Sequence, residues 1–388
     1  MIAYNTDKLR AFKLVLAAER WQKSEVITKE QFQKIETTHP NELYHPPIWL
    51  RGILFVATIL GLAAILGLFV LSILNSSGGE LAGRVIMTLV GIGATVGLEY
   101  FIKSNNHYKS GVTEALLFTS VSLLVPGILG FEASEYAYSF AAIIIGFILF
   151  FRYANLLGGL IVLGGLSFML FLFIYNLGPS IHPFIPILFL VFFTGLYYMI
   201  LSLKHKVQWY YQDCIVVLDS VLLILIYLSM NYFVVRELSS ELMGLRLAPG
   251  EDIPLAFLFY AFTFLVPIGY LTYGIIKKKI IFIRIGIGLV FASVVTYKIY
   301  YSSGHPEITL TLAGLFLTGI TGWVLNKLKK PINGFTREKL LVQDGFNAHT
   351  ESILISSTMG GVAQNQAIEK TPEMGGGEFG GGGAGSEF

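Results

Sequence analysis

Five ionisable residues, Glu99, Glu114, Asp219, Arg284 and Lys298, interrupt long apolar runs in a chain of which only 13% is charged. A charge inside such a run is costly, and it is kept where it pairs, faces water or serves a ligand or proton. Four of the five are expected at one depth. Glu99 stands near the end of one run and Glu114 near the start of the next. Asp219 and Arg284 each stand about one turn inside later runs that begin on the same side. With a 1.5 Å rise per residue, each lies roughly 4–8 Å below one boundary. Glu99, Glu114, Asp219 and Arg284 therefore form a candidate intramembrane polar layer. Arg284 would neutralise one of the acids, with Asp219 its best match in depth. Two readings of the layer stay open: local pairing with no further role, and a substrate or proton site. Lys298, near the far end of its run, can snorkel to the boundary.

Other chemistry is thinly represented. The single cysteine, Cys214, excludes an intrachain disulfide. The seven histidines are scattered, and none pairs at the i, i+4 spacing of a helical metal site. There is no phosphate loop, dinucleotide fingerprint or nucleophile elbow. The residues thus point to no catalytic, cofactor-binding or metal-binding set.

The elements that must position the polar layer follow from the apolar runs. The chain has 388 residues, 54% of them hydrophobic. Soluble domains carry roughly 25% charged residues, and no single soluble core could bury so much apolar surface. A helix needs about 20 apolar residues to cross the hydrocarbon core. Ten stretches approach that, at about 52–74, 85–102, 111–129, 136–151, 155–177, 184–203, 214–235, 254–276, 280–302 and 307–325. The runs are continuous rather than alternating, and a helix satisfies its own backbone in lipid. The fold class expected is all-α: a polytopic transmembrane helix bundle of about ten spans over residues 48–330.

Lysine and arginine orient it. With the N-terminus inside, 22 of the 27 basic residues fall on one side and three, Arg84, Arg236 and Arg246, on the other. That asymmetry places both termini in the cytoplasm of a cell (inner) membrane protein. The frequent glycines, Gly93 and Gly97 among them, suit close helix packing.

Residues 1–47 are expected to form a small cytoplasmic helical hairpin. Asn5 or Thr6 can cap a first helix with Leu9, Phe12, Leu16 and Val15 on one side. Thr28 and Gln31 form a capping box for a second, which Phe32 and Ile35 make apolar on one side. His45-Pro46-Pro47 stops helix formation before the membrane. No basic recognition helix stands out, which argues against nucleic acid.

The run from Ala18 to Gln31, with Trp21, Ile27, Thr28, Glu30 and Gln31 at its matching positions, resembles the opening of a bacterial membrane-protein family catalogued as domain of unknown function 2157. Glu114-Ala115-Leu116 resembles a step in the same family. Tyr297 to Tyr301, followed by Leu315 to Gly319, is similar to an ending shared with related families. The chain departs from the pattern after its first span, where Asn75-Ser76-Ser77 replaces an Asn-Trp pair. The resemblance implies a many-helix membrane region and no known activity, so it assigns no functional residue.

Residues 331–388 are read as a cytoplasmic tail. From about 360 it is Gly-rich, with too little apolar surface to fold. Its Gly-Ser-Glu-Phe ending also fits a cloning scar. The functional expectation is a non-enzymatic scaffold or sensor, touching the lipid bilayer, with residues 1–47 as a contact for a protein partner or for self-association. The alternative is a secondary transporter or permease with a polar site on the cytoplasmic side. A sealed bundle favours the first and a polar cavity the second.

Overall fold

The computed structural model describes residues 2–73, 79–204, 206–243 and 252–300, with scattered helical positions between 311 and 326. The expected tail, 331–388, lies outside the described residues. So does most of the tenth expected span.

Two short helices come first, α1 (Thr6–Lys23) and α2 (Lys29–Thr38). Asn5 caps α1 through Asp7 N and Lys8 N, and Thr28 and Gln31 make the expected capping box of α2. The chain then runs through α3 (Ile48–Ile73), α4 (Gly79–Ser104), α5 (Val112–Leu129), α6 (Glu135–Tyr153), α7 (Leu156–Tyr175), α8 (Ile185–Leu203) and α9 (Gln212–Leu228). It closes with α10 (Tyr232–Met243), α11 (Ala256–Lys277) and α12 (Ile280–Tyr300). No strand occurs among the described residues, only an isolated bridge between Tyr44 and His107.

Nine helices of the described residues, α3 to α9, α11 and α12, are long and apolar enough to cross a membrane. Their outward faces carry bare hydrocarbon: Phe257 and Ile276 are 74% and 75% exposed. A soluble protein does not display such a perimeter. The chain is an integral membrane protein, and the bilayer covers these faces.

The helices pair as antiparallel hairpins. Ser134 caps α6 through Ala137 N, and the helix ends at Ala154, which adopts a left-handed conformation. Asn155 then caps α7, so two residues separate spans that the sequence joins almost continuously. The two helices meet at Gly146 and Gly158. A Cβ on either would stand 2.7–2.8 Å from the other's carbonyl oxygen, so only glycine permits this approach. On α4 the tight contact is made by Gly91 against Leu124, whereas a Cβ on Gly93 would meet nothing. The packing stripe of α4 therefore runs through Gly91, Ala94 and Leu98, not through Gly93.

The seventh expected span, 214–235, is not continuous. α9 ends at Leu228, and α10 restarts after Ser229, Met230 and Asn231. Asn231 is buried and bonds five residues, its own N–H donating to the Leu228 carbonyl at 3.3 Å. Its Nδ2 donates to Tyr227 Oη at 2.8 Å and Thr296 Oγ1 at 3.2 Å, and its backbone and side-chain oxygens accept from Val235 N and Val234 N. Tyr227 Oη also pairs with Ser293 Oγ at 3.0 Å, and Ser293 Oγ reaches the Thr263 carbonyl at 2.6 Å. This network joins α9 and α10 to α11 and α12, and with Thr263 Oγ1 it pairs Tyr232 N, Val234 N and Val235 N at the restart of α10, as lipid favours.

Candidate functional site

The first residues of the chain reach into the end of the bundle. Ala3 N donates to the Arg152 carbonyl at 2.7 Å. Tyr4 is buried in a cluster with Leu98, Leu116, Leu117, Leu149 and Tyr153, and its ring meets Tyr108 edge-on at 5.1 Å. Burial first, and the nearby Glu114 second, hold its phenol well above the usual range. Leu9 and Phe12 of α1 bury against Leu43, Tyr108, Trp209 and Tyr210. Leu16, expected on that side, is instead 37% exposed.

Polar contacts fix the same segment. Lys8 Nζ bonds Glu42 at 2.7 Å and Asn106 at 3.1 Å. Lys13 Nζ bonds Asp213 at 2.8 Å and stands over the Trp209 ring with Arg10. Tyr44 N donates to the Asn106 carbonyl, and Tyr108 N to the Tyr44 carbonyl. One short stretch thus ties together the turns after α4, α6 and α8, which must lie at the same end of the bundle. That end also carries Lys103, Lys109, Arg152, Lys204, Lys206 and Lys277 to Lys279.

His45 locks the junction. Its ring bonds Arg51 and, through Nδ1, the Tyr108 carbonyl at 2.9 Å. Arg51 can only donate, so Nε2 accepts and Nδ1–H donates, which is the neutral imidazole. Burial and then the Arg51 charge push its pKa down to about 4.

The four residues of the expected polar layer separate into two places. Glu99 on α4 takes a bidentate Arg152 (Nε 3.0 Å, Nη2 2.8 Å), with Lys103 Nζ at 2.9 Å and Tyr153 Oη at 3.0 Å. Glu114 sits in the first turn of α5, where its carboxylate accepts from Gly111 N at 2.7 Å and Thr113 Oγ1 at 2.9 Å. Beyond burial, both acids raise the pKa of the Tyr4 phenol, Glu114 more than Glu99. Asp219 is apart from them on α9. It is 5% exposed, its Oδ2 lies 3.6 Å from Lys204 Nζ, and its Oδ1 has no hydrogen-bond partner. Arg284 is half-buried on α12, and Lys298 is exposed in that helix's last turn. The acids' ion pairs at these distances run to Arg152, Lys103 and Lys204.

Between α6, α7, α8 and α9 lies a slot of about 200 Å³, walled entirely by apolar side chains, among them Phe147, Phe151, Val162, Leu196, Met199 and Leu218. Phe147, Phe151 and Met199 at its rim are exposed on the bundle's perimeter. Among the described residues no group of three His, Cys, Asp or Glu could hold a metal ion. Comparison with protein-family models, curated proteins and solved structures finds no match to this chain.

Sequence reasoning missed Tyr4, Asn231 and the Arg152 pairing with Glu99. Tyr4 precedes the first helix and has no periodicity to reveal it. Arg152 stands between the runs 136–151 and 155–177, where nothing in the sequence shows that it reaches Glu99. Asn231 gave a usable signal, as the one amide in the stretch 214–235.

Proposed function

We propose that this membrane protein is a non-enzymatic scaffold or sensor whose N-terminal segment carries its contact surface at the cytoplasmic face. The observation that supports this most is the division of labour within residues 1–47. α1 is anchored to the bundle through Tyr4, Phe12 and Lys13, whereas α2 buries no residue. A held first helix and a free second one suit a platform that presents α2 to a partner or to a second copy. Glu99 and Glu114 are occupied by partners within the chain, and the slot is apolar, which favours this reading over a path for a polar substrate. The basic end fits the cytoplasmic side, with both termini there, by the bias of lysine and arginine. The motif from Trp21 to Gln31 fits membership of the family of unknown function 2157.

The test is photo-crosslinking from a benzoylphenylalanine placed at Gln33, on the exposed face of α2, in intact cells. One discrete adduct, of self or of a single partner, is expected. Monomer alone would remove the scaffold reading.

A second reading, a transporter with a polar site at the basic end, draws on one observation: the unpartnered Oδ1 of buried Asp219. Proton flux into proteoliposomes that is abolished by Asp219→Asn would favour it over the first.

A further inference from the structure

We infer that the slot between α6 and α9 holds one acyl chain of a membrane phospholipid whose anionic headgroup rests on Lys206. The slot opens on the bundle's perimeter, where Phe147 and Met199 face the bilayer. The solvent there is hydrocarbon, and a void in lipid-facing packing forfeits dispersion contacts that a chain restores. Its volume, about 200 Å³, exceeds the roughly 150 Å³ of an apolar cavity that binds benzene, so it admits a length of alkyl chain. Water gains little in it, because every lining side chain is apolar.

Direction and charge make the occupant more specific. The lining runs from Leu203 back to Leu196 on α8 and from Ile215 to Leu222 on α9. Seven residues of helix give a depth of about 10 Å, roughly a third of the hydrocarbon thickness. Its shallow end is at the basic end of the bundle, where Val207 lines it beside the exposed Lys206. Lys206 makes no ion pair with the described residues, while Lys204, two positions earlier, is engaged by Asp219. A free ammonium at the mouth of a hydrocarbon slot matches a phosphate diester above an acyl tail. A neutral or zwitterionic lipid gains less from it.

Native mass spectrometry of the full-length protein in detergent tests this, with palmitoyl-oleoyl phosphatidylglycerol and phosphatidylcholine as probes. The unaltered protein is expected to keep phosphatidylglycerol at collision energies that strip phosphatidylcholine. Met199→Trp, at the exposed rim, and Leu196→Phe, at the inner end, fill the slot from opposite sides. Each should lower retention of both lipids about tenfold, near 1.4 kcal/mol. Lys206→Gln should keep acyl binding and erase the preference for phosphatidylglycerol. Both slot variants are used only if they keep the melting temperature of the parent, and the rim position is itself half-exposed. Unchanged retention in both slot variants overturns the slot. Equal retention of the two lipids by the unaltered protein overturns the headgroup assignment, and a lipid-free dimer would give the slot to a second copy instead.

Discussion

The Lys13 ammonium lies 2.8 Å from the Asp213 carboxylate, joining the N-terminal helix to the start of α9 across 200 positions of sequence. Both side chains remain about a quarter exposed. A pair of that kind contributes about 0–1 kcal/mol. It sets the position of α1, and the buried Tyr4 and Phe12 hold it there.

Tyr4→Ala should therefore release the segment, while Lys13→Met should barely do so. Loss of a large buried aromatic costs about 3–5 kcal/mol, partly offset here by relaxation at the chain's end. Limited proteolysis in nanodiscs, followed at the turn between α1 and α2, reads the difference. Equal cleavage rates in the two variants would show that Tyr4 is not the anchor.

The Glu99 and Arg152 pair should behave as a coupled unit. Removing Arg152 alone leaves a carboxylate in the bundle with less compensation, whereas removing both leaves none. Arg152→Leu should lower thermal stability in detergent more than the double change with Glu99→Leu, with a coupling of about 1–3 kcal/mol. Additive effects would mean that Lys103 and Tyr153 suffice for Glu99.

Asn231→Leu should destabilise by about 2–3 kcal/mol. The change removes the amide donor to Tyr227 Oη and Thr296 Oγ1, which keep Ser293 Oγ and the Ala292 carbonyl, and it leaves Val234 N without its acceptor beside a buried site. A melting temperature within a degree of the parent would show that the break between α9 and α10 is not held by this network.

Docking of the N-terminal segment should weaken on acidification. His45 is neutral when docked, with its pKa lowered from 6.5 to about 4. The undocked segment binds a proton at the higher pH, so docking is fully favoured above about 6.5. It is lost progressively as pH falls toward 4 and changes no further below that. Proteolysis at the same turn, compared at pH 7 and pH 5, should accelerate at the lower value, and His45→Phe should flatten the response. A faster cut at the higher pH would reverse the sign and refute the neutral-histidine lock.

The spans were legible because their length and apolarity are properties of single segments. α3, α5, α8 and α11 begin and end within a few residues of where hydropathy places them. Glu99, near the end of α4, and Glu114, in the first turn of α5, lie at one end of the bundle. What a sequence does not carry is the lateral arrangement of helices. Equal depth gave no sign of the pair between Glu99 and Arg152, which joins the end of α4 to the last turn of α6. The slot is made by four helices whose individual residues look like ordinary lipid-facing hydrocarbon. Tyr4 became a core residue only because the chain folds back over the turns after α4 and α6.

Hydrogen–deuterium exchange of the full chain in nanodiscs addresses the held first helix and free second helix together. Amides of residues 3–16 should be protected to the level of the bundle's outer turns, and those of Lys29–Thr38 should exchange within seconds to minutes. Equal, fast exchange in both helices would contradict the account, because nothing would then anchor the segment that presents α2.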